Sequence, residues 1–327
     1  MRNLALIIAV ASAVMLGSIF TSCDRVEQAF PPAIKLDTLF YTGATGNLWQ
    51  DYVDNEWPDF DTIVNTNPFT NALVEDFTGH NCSNCPAAAD IAHSLYESNP
   101  TRVFVASIHS SNVGESPFQA VNEGQGYTVN FMNSQGLWLG NYFGQTVQNS
   151  GFFGNPGGTV SRTREQTDLF YGSGFWSTKV NEVLAKPLAV AMKAHVNYYD
   201  ATKAFYLHTE VEVLDGSLET SDLAITAYLI EDSLVAPQNV QSTFTPDYVH
   251  RDIMRGTLSG VALGRDLMSG TEKNGKYYLD YSYEVPNQLA PVGQPTAYNV
   301  SNMHLLIFVH DKIEHKIHQV LKKKIYQ

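Results

Sequence analysis

The chain has 327 residues, 44% hydrophobic and only 16% charged, with 17 Phe, 17 Tyr and 4 Trp; this fills packed cores and excludes a disordered acidic protein. Its formal net charge of −13 opposes nucleic-acid binding, which needs a cationic surface to displace phosphate counterions, and offers no attraction to anionic lipid. No G-x-S-x-G, H-E-x-x-H or phosphate-binding glycine loop occurs, so hydrolase and nucleotide readings have no support.

A short basic start at Arg2 is followed by an apolar run from Leu4 to Phe20. The run is too short and too near the terminus for a comfortable membrane span and reads as a secretory signal. It ends in Phe20-Thr21-Ser22-Cys23, which resembles a bacterial lipobox with Phe20 in place of the usual Leu. The resemblance implies that residues 1–22 are removed and Cys23 is lipidated; cleavage nearby that leaves Cys23 free is the alternative. Two or more acyl chains on one cysteine anchor stably where a single chain does not. No second apolar run of about 18 residues is present to cross a bilayer. Residues 23–68, rich in Asp, Asn, Pro and Thr with scattered aromatics, read as a tether and irregular lead-in.

From residue 69 the pattern changes. Ala72–Thr78 reads as a strand, Cys82 to about Ser98 as a helix with Ala88, Ile91, Ala92 and Leu95 on one face, and Arg102–His109 as a buried strand. Asn99-Pro100 stops the helix, because a residue before proline disfavours the helical region. Strand, helix and strand at this spacing form a βαβ unit with a right-handed crossover. Residues 110–153 are rich in Gly and Asn and leave room for an inserted helical segment. Gly154–Arg162 is a turn entering a strand, and a helix from about Phe175 to Ala185 closes a unit spanning 69–186 at Lys186-Pro187.

Beyond that boundary, residues 187–327 alternate. Leu188, Val190, Met192, Ala194 and Val196 share one face, and Phe205, Leu207, Thr209, Val211 and Val213 repeat the pattern. Further strands are expected at Leu223–Ile230, Tyr277–Val285, Met303–Val309 and Lys316–Ile325. Such a run of strands suggests an antiparallel β-sandwich of immunoglobulin-like kind. His304, His310, His315 and His318 are scattered by the alternation and expected on solvated faces, and His109 is expected at the surface.

With Cys23 assigned to lipid, Cys82 and Cys85 can pair with each other, bind a metal or stay reduced. A cysteine at the first turn of a helix meets unpaired N–H groups and the positive end of the dipole, which favour thiolate. Cys82 would then attack a disulfide and Cys85, one turn on, would resolve the mixed species. A static disulfide is the first alternative, natural in an oxidising envelope. Zinc held by His80, Cys82, Cys85 and His93 is the second, although His93 lies far from the start of the helix.

Asp76-Phe77 stands six residues ahead of Cys82, and this Asp-Phe…Cys-x-x-Cys spacing resembles the thioredoxin superfamily. The resemblance implies that Asp76 is a buried acid relaying protons to Cys85; an exposed strand carboxylate is the alternative. It also implies that Pro156 belongs to a cis-proline loop against the disulfide. Asn81 departs from the usual Trp and Gly157 from the Thr that commonly follows the proline. Ser83-Asn84 matches neither the Gly-Pro of reductants nor the Pro-His of strong oxidants, so the direction of exchange stays open.

The longer string from Val74 to Ala88, with the lipobox, His109, Tyr248-Val249-His250-Arg251 and Leu305–Val309, is similar to the 28-kDa-outer-membrane-protein-related lipoproteins. The expectation is an α/β thioredoxin-like domain followed by an all-β immunoglobulin-like antiparallel sandwich, lipid-anchored in the outer membrane of a cell envelope. Cys82 would be the nucleophile, Cys85 the resolver, Asp76 the proton acceptor and Pro156 the substrate-loop residue. The membrane, through lipid on Cys23, and envelope proteins with thiols or disulfides are the expected partners, with no cofactor, metal or nucleic acid. The rival expectation is a surface or periplasmic binding lipoprotein with a structural disulfide.

Overall fold

A computed structural model describes residues 35–65, 67–285 and 299–326; the leader and Cys23 lie outside the described residues. Two short helices, α1 (Leu39–Thr45) and α2 (Trp49–Asn55), precede β1 (Ala72–Thr78), α3 (Cys85–Ser98), β2 (Val103–His109), α4 (Ser134–Gln145), β3 (Gly157–Val160) and α5 (Trp176–Leu184). Strands then dominate: β4 (Val190–Tyr199), β5 (Ala204–Val213), β6 (Leu223–Glu231), β7 (Leu234–Val240), β8 (Thr243–His250) and β9 (Ile253–Thr257). The last are β10 (Arg265–Asp266), β11 (Thr271–Lys273), β12 (Lys276–Glu284), β13 (Met303–Asp311) and β14 (Ile317–Lys324). The chain is mostly β, with mixed sheets and some helices.

One eight-stranded sheet runs β14-β13-β6-β9-β2-β1-β3, with β10 paired to β6. β1 and β2 are parallel with Asp76 opposite Ser107, and β9 joins β2 in parallel at Ser107 and Ile253. A second sheet runs β11-β12-β5-β4, and β7 and β8 form a hairpin of their own. The α/β portion and the strands beyond residue 186 therefore share a sheet, through a parallel contact that a purely antiparallel sandwich lacks. Alternation reports which faces of a strand are covered. It carries no information about which strand lies alongside, so this junction is invisible in the periodicity.

β1 shows how the layers form. Leu73 and Phe77 enter a core with Phe104, Ile108, Phe143 and Phe308, while Ala72 and Val74 enter another with Ala88, Val105, Val160 and Trp176 on the side of α3 and α5. The third large core lies between the sheets, where Leu305, Ile307 and Val309 of β13 meet Phe205, Leu207 and Val211 of β5. Leu306 and Phe308 of β13 point the other way, into the first core. Both faces of β13 are thus covered, which corrects the expected placing of the terminal histidines. His304, His310, His315 and His318 are all buried, and burial lowers the pKa of each, to about 3 for His310 and about 4 for His315 and His318.

The lead-in also holds more order than its composition predicts. Tyr41 and Tyr52 of these two helices pack on Tyr206, which faces away from the core between the two larger sheets. Tyr206 Oη donates to Asp37 O at 2.7 Å and accepts from Tyr41 N at 3.0 Å. Non-periodic aromatics here close the outer face of the second sheet, a role set by β5 rather than by local sequence.

A buried ion pair stitches the shared sheet to the loop after β3. Arg162, fully buried, donates through Nε and Nη2 to the two carboxylate oxygens of Glu75 at 2.8 and 2.9 Å. Nη2 also donates to Tyr228 Oη on β6, whose hydroxyl donates to Glu75 Oε1, each at 2.9 Å. The guanidinium stacks on Phe143 and Phe308 at 5.1 and 5.4 Å. Removing one partner of such a pair leaves an uncompensated charge in the core. Arg162→Met is expected to cost about 3–5 kcal/mol in urea unfolding, with Glu75→Leu/Arg162→Met recovering most of the loss. Equal stability of the single and double variants would contradict this account.

Candidate functional site

Thr78 ends β1, and the chain turns through residues 79–84 before α3 begins at Cys85. The helix therefore starts at the second cysteine, not at Cys82 as the periodicity predicts. Pro86 suits that start, since its missing N–H would have no intrahelical partner there. Gly79 is dictated by packing: a Cβ there would lie 2.5 Å from Phe118 O. The approach is fastened by Asn81 N donating to Phe118 O at 3.0 Å and Gln119 Nε2 to Thr78 O at 2.7 Å.

Cys82 and Cys85 form a disulfide, with Cα atoms 5.4 Å apart. Both are buried, at 2% and 1% exposure. Behind Cys85 lies a cavity of about 50 Å³ between α3, β1, β2 and the β7–β8 hairpin, walled in part by Asp76, Ser107, His109, Gln238 and Asp252. That volume admits water if polar partners are present. Asp76 is one: it is wholly buried, and neither carboxyl oxygen has a hydrogen-bond partner among the described residues. Burial raises its pKa to about 7, so a proton can be held or released there near neutrality.

Pro156 follows a cis peptide bond from Asn155. Its loop is tied to the end of β1 by Asn155 Nδ2, which donates to Phe77 O and Ser110 O at 2.8 Å each. Cys85 and Asp76 thus share one cavity, Cys82 is bonded to Cys85, and Pro156 is not among the cavity's walls. The residues weighed for zinc diverge. His80 stacks on Tyr127 with its Nε2 3.0 Å from Ala120 O, and His93 pairs with Glu97 at 3.1 Å. Among the described residues no group of three or more His, Cys, Asp or Glu side chains is placed to hold a metal ion.

Sequence reasoning missed several neighbours of the disulfide. His109 is buried at the end of β2, not at the surface, and rings Phe131 together with His80 and His250. Burial first lowers the pKa of His109 and His250, with repulsion from His250 adding at His109 and from His80 at His250, the latter to about 4. Gln238 of β7 is also buried against the cysteine turn. The only signals were a polar residue beside Pro237 and the Tyr248–Arg251 string. Neither has the periodicity that marks an element.

Residues 144–327 match the family model described as outer membrane protein Omp28. The match begins after Asp76, Cys82 and Cys85, and includes Pro156 and every strand from β3 onward. Among solved structures, HBP35 of Porphyromonas gingivalis is similar over 79% of this chain and 76% of its own, with a TM-score of 0.56 and 16% identity, a likeness of fold alone. A domain of the outer membrane lipoprotein Omp28 from Porphyromonas gingivalis covers 43% of this chain and 90% of its own, at 18% identity and a TM-score of 0.28. No curated protein matches the sequence.

The unpartnered acid makes a pH-dependent prediction. With its folded pKa raised from 3.8 to about 7, Asp76 costs nothing below about pH 4; the penalty grows through that window and is complete above about pH 7. Asp76→Asn should therefore gain stability over the natural protein only as pH rises, by at most about 4 kcal/mol. The histidines run the opposite way: their contribution is present above about 6.5 and lost as pH falls toward the lowered pKa, about 4 for His250. Comparing the two proteins by urea unfolding from about pH 4 to about pH 8 isolates the acid; a gain independent of pH would overturn the assignment.

Proposed function

Because this chain belongs to the outer membrane protein Omp28 family, a lipid-anchored lipoprotein of the outer membrane, we propose that it exchanges its Cys82–Cys85 disulfide with thiols of other envelope proteins. In this reading Cys23 carries the lipid, residues 69–186 form the thioredoxin-like portion, and the later strands form an immunoglobulin-like sandwich that presents it. The observation that carries the reading is Asp76. A fully buried, unpartnered carboxyl beside Cys85 destabilises the fold and adds nothing to a static disulfide, so its value lies in proton handling.

The chemistry balances without a cofactor. In the reduced protein the Cys82 thiolate attacks a partner's disulfide, forming a mixed disulfide and releasing one partner thiolate. Asp76 takes the proton of Cys85, whose thiolate attacks the Cys82 sulfur and releases the second. The partner gains two electrons and this chain closes its own S–S bond; the reverse sequence oxidises a partner dithiol. Pro156 would face the incoming chain.

A second reading has its own support in the burial of both sulfurs. Here the disulfide is structural and the protein is a binding lipoprotein that uses its strand surfaces. The reduction potential of the pair separates the two. Exchange predicts a value near that of thioredoxin, about −270 mV, with a reduced Cys82 pKa below about 8.5 and a trapped mixed disulfide in Cys85→Ser. A potential below about −300 mV, with no trapped species, would assign the bond to structure.

A further inference from the structure

The β7–β8 hairpin lies across the cysteine turn, and its bonds to that turn are specific. Asn239 N donates to His80 O at 2.8 Å and Gln241 N to Ser83 O at 3.0 Å. Between them the buried Gln238 donates through Nε2 to Gly79 O at 3.3 Å and Cys82 O at 3.2 Å. The carbonyls of residues 79, 80, 82 and 83 therefore all end on three consecutive or near-consecutive hairpin residues. Cys82 is bracketed on both sides.

The attachment of the hairpin to the rest of the molecule is smaller than the cores that hold the two larger sheets. Among the described residues it pairs with neither larger sheet. Beneath it lies an apolar and aromatic cluster: Ala236 and Leu234 meet Val129, Phe131 and Ile253, His250 packs on Phe131 and His109, and Phe244 on Tyr127. The chain leaves β6 and re-enters β9 through two non-glycine residues in left-handed backbone, Ser233 at φ 62° and Asp252 at φ 50°. Their amides converge on one acceptor, Asp232 Oδ1, at 2.7 and 3.3 Å. These paired positions lie where a rigid hairpin would pivot without loss of its own ladder.

We propose that the β7–β8 hairpin is a hinged cap on the Cys82–Cys85 disulfide, and that the sulfurs become reachable only when it lifts about Ser233 and Asp252. An interface smaller than the cores that hold the sheets opens at lower free energy than they do. A thiol must reach a sulfur atom to exchange with it, so the lifted fraction sets the rate. The cap governs access alone and holds whether or not the disulfide then passes to another protein.

Reduction of the full chain by dithiothreitol under native conditions reads the opening directly. One thiolate attacks a protein sulfur, the S–S bond breaks, and the second thiol closes a cyclic disulfide, passing two electrons and two protons to the cysteines. Asn239→Pro removes the N–H that bonds His80 O, a group facing the turn and not β8. Reduction should quicken about tenfold, the loss of one well-made hydrogen bond from the closed state, while the thermal midpoint of the whole protein falls by only about 2 °C. An unchanged rate would overturn the cap. Hydrogen exchange in the natural protein provides a second, independent test if the variant does not fold. The Asn239 and Gln241 amides should exchange through a shallower opening than core amides of β6 such as Leu229. Exchange of all three through the same global unfolding would equally overturn it.

Discussion

Everything in this molecule turns on how β1 places its two adjacent acids. Glu75 points into the core beneath the eight-stranded sheet, where Arg162 and Tyr228 satisfy it. Asp76, the next residue, points to the opposite face and finds no partner among the described residues. A carboxylate buried in low dielectric must be paired or become neutral, and the strand uses both solutions one residue apart. The paired acid is architectural because its partners come from the loop after β3 and from β6. The unpaired acid sits beside the disulfide, where a group that gains and loses a proton near neutrality has chemical use.

The same alternation explains what was legible in the sequence. β1, α3 and β2 follow from a short apolar run, a 3.6-residue period and a proline stop, and the structure places them close to the expected positions. β4, β5, β6, β12, β13 and β14 follow from period-two patterning, since each lays one face against a core. The helix start near the cysteines shifts to Cys85 because the preceding turn is held by Phe118, Gln238 and Asn239, all distant in sequence. Local propensity could not contain that information.

What the residues concealed has a common cause. β7 and β8 carry prolines and polar side chains, β9 is five residues long with a glycine, and all three fold because of what they lie against. The histidines of β13 and β14 read as solvated under the assumption that a strand has one wet face, yet β13 has a core on each side. The Tyr41, Tyr52 and Tyr206 contact likewise depends on a strand residue 154 positions beyond Tyr52. In each case the missing term is a tertiary neighbour, and no window of local sequence includes it.

The shared sheet has a consequence for how such a chain can be divided. The family-matched segment begins at residue 144, so it contains Arg162 and Tyr228 but neither Glu75 nor the cysteines. Separating the cysteine-bearing strands from this segment would strand a guanidinium in the core and bare the edge of β9, a template for adhesion to other chains. Neither part keeps both its charge balance and its covered sheet edge without the other.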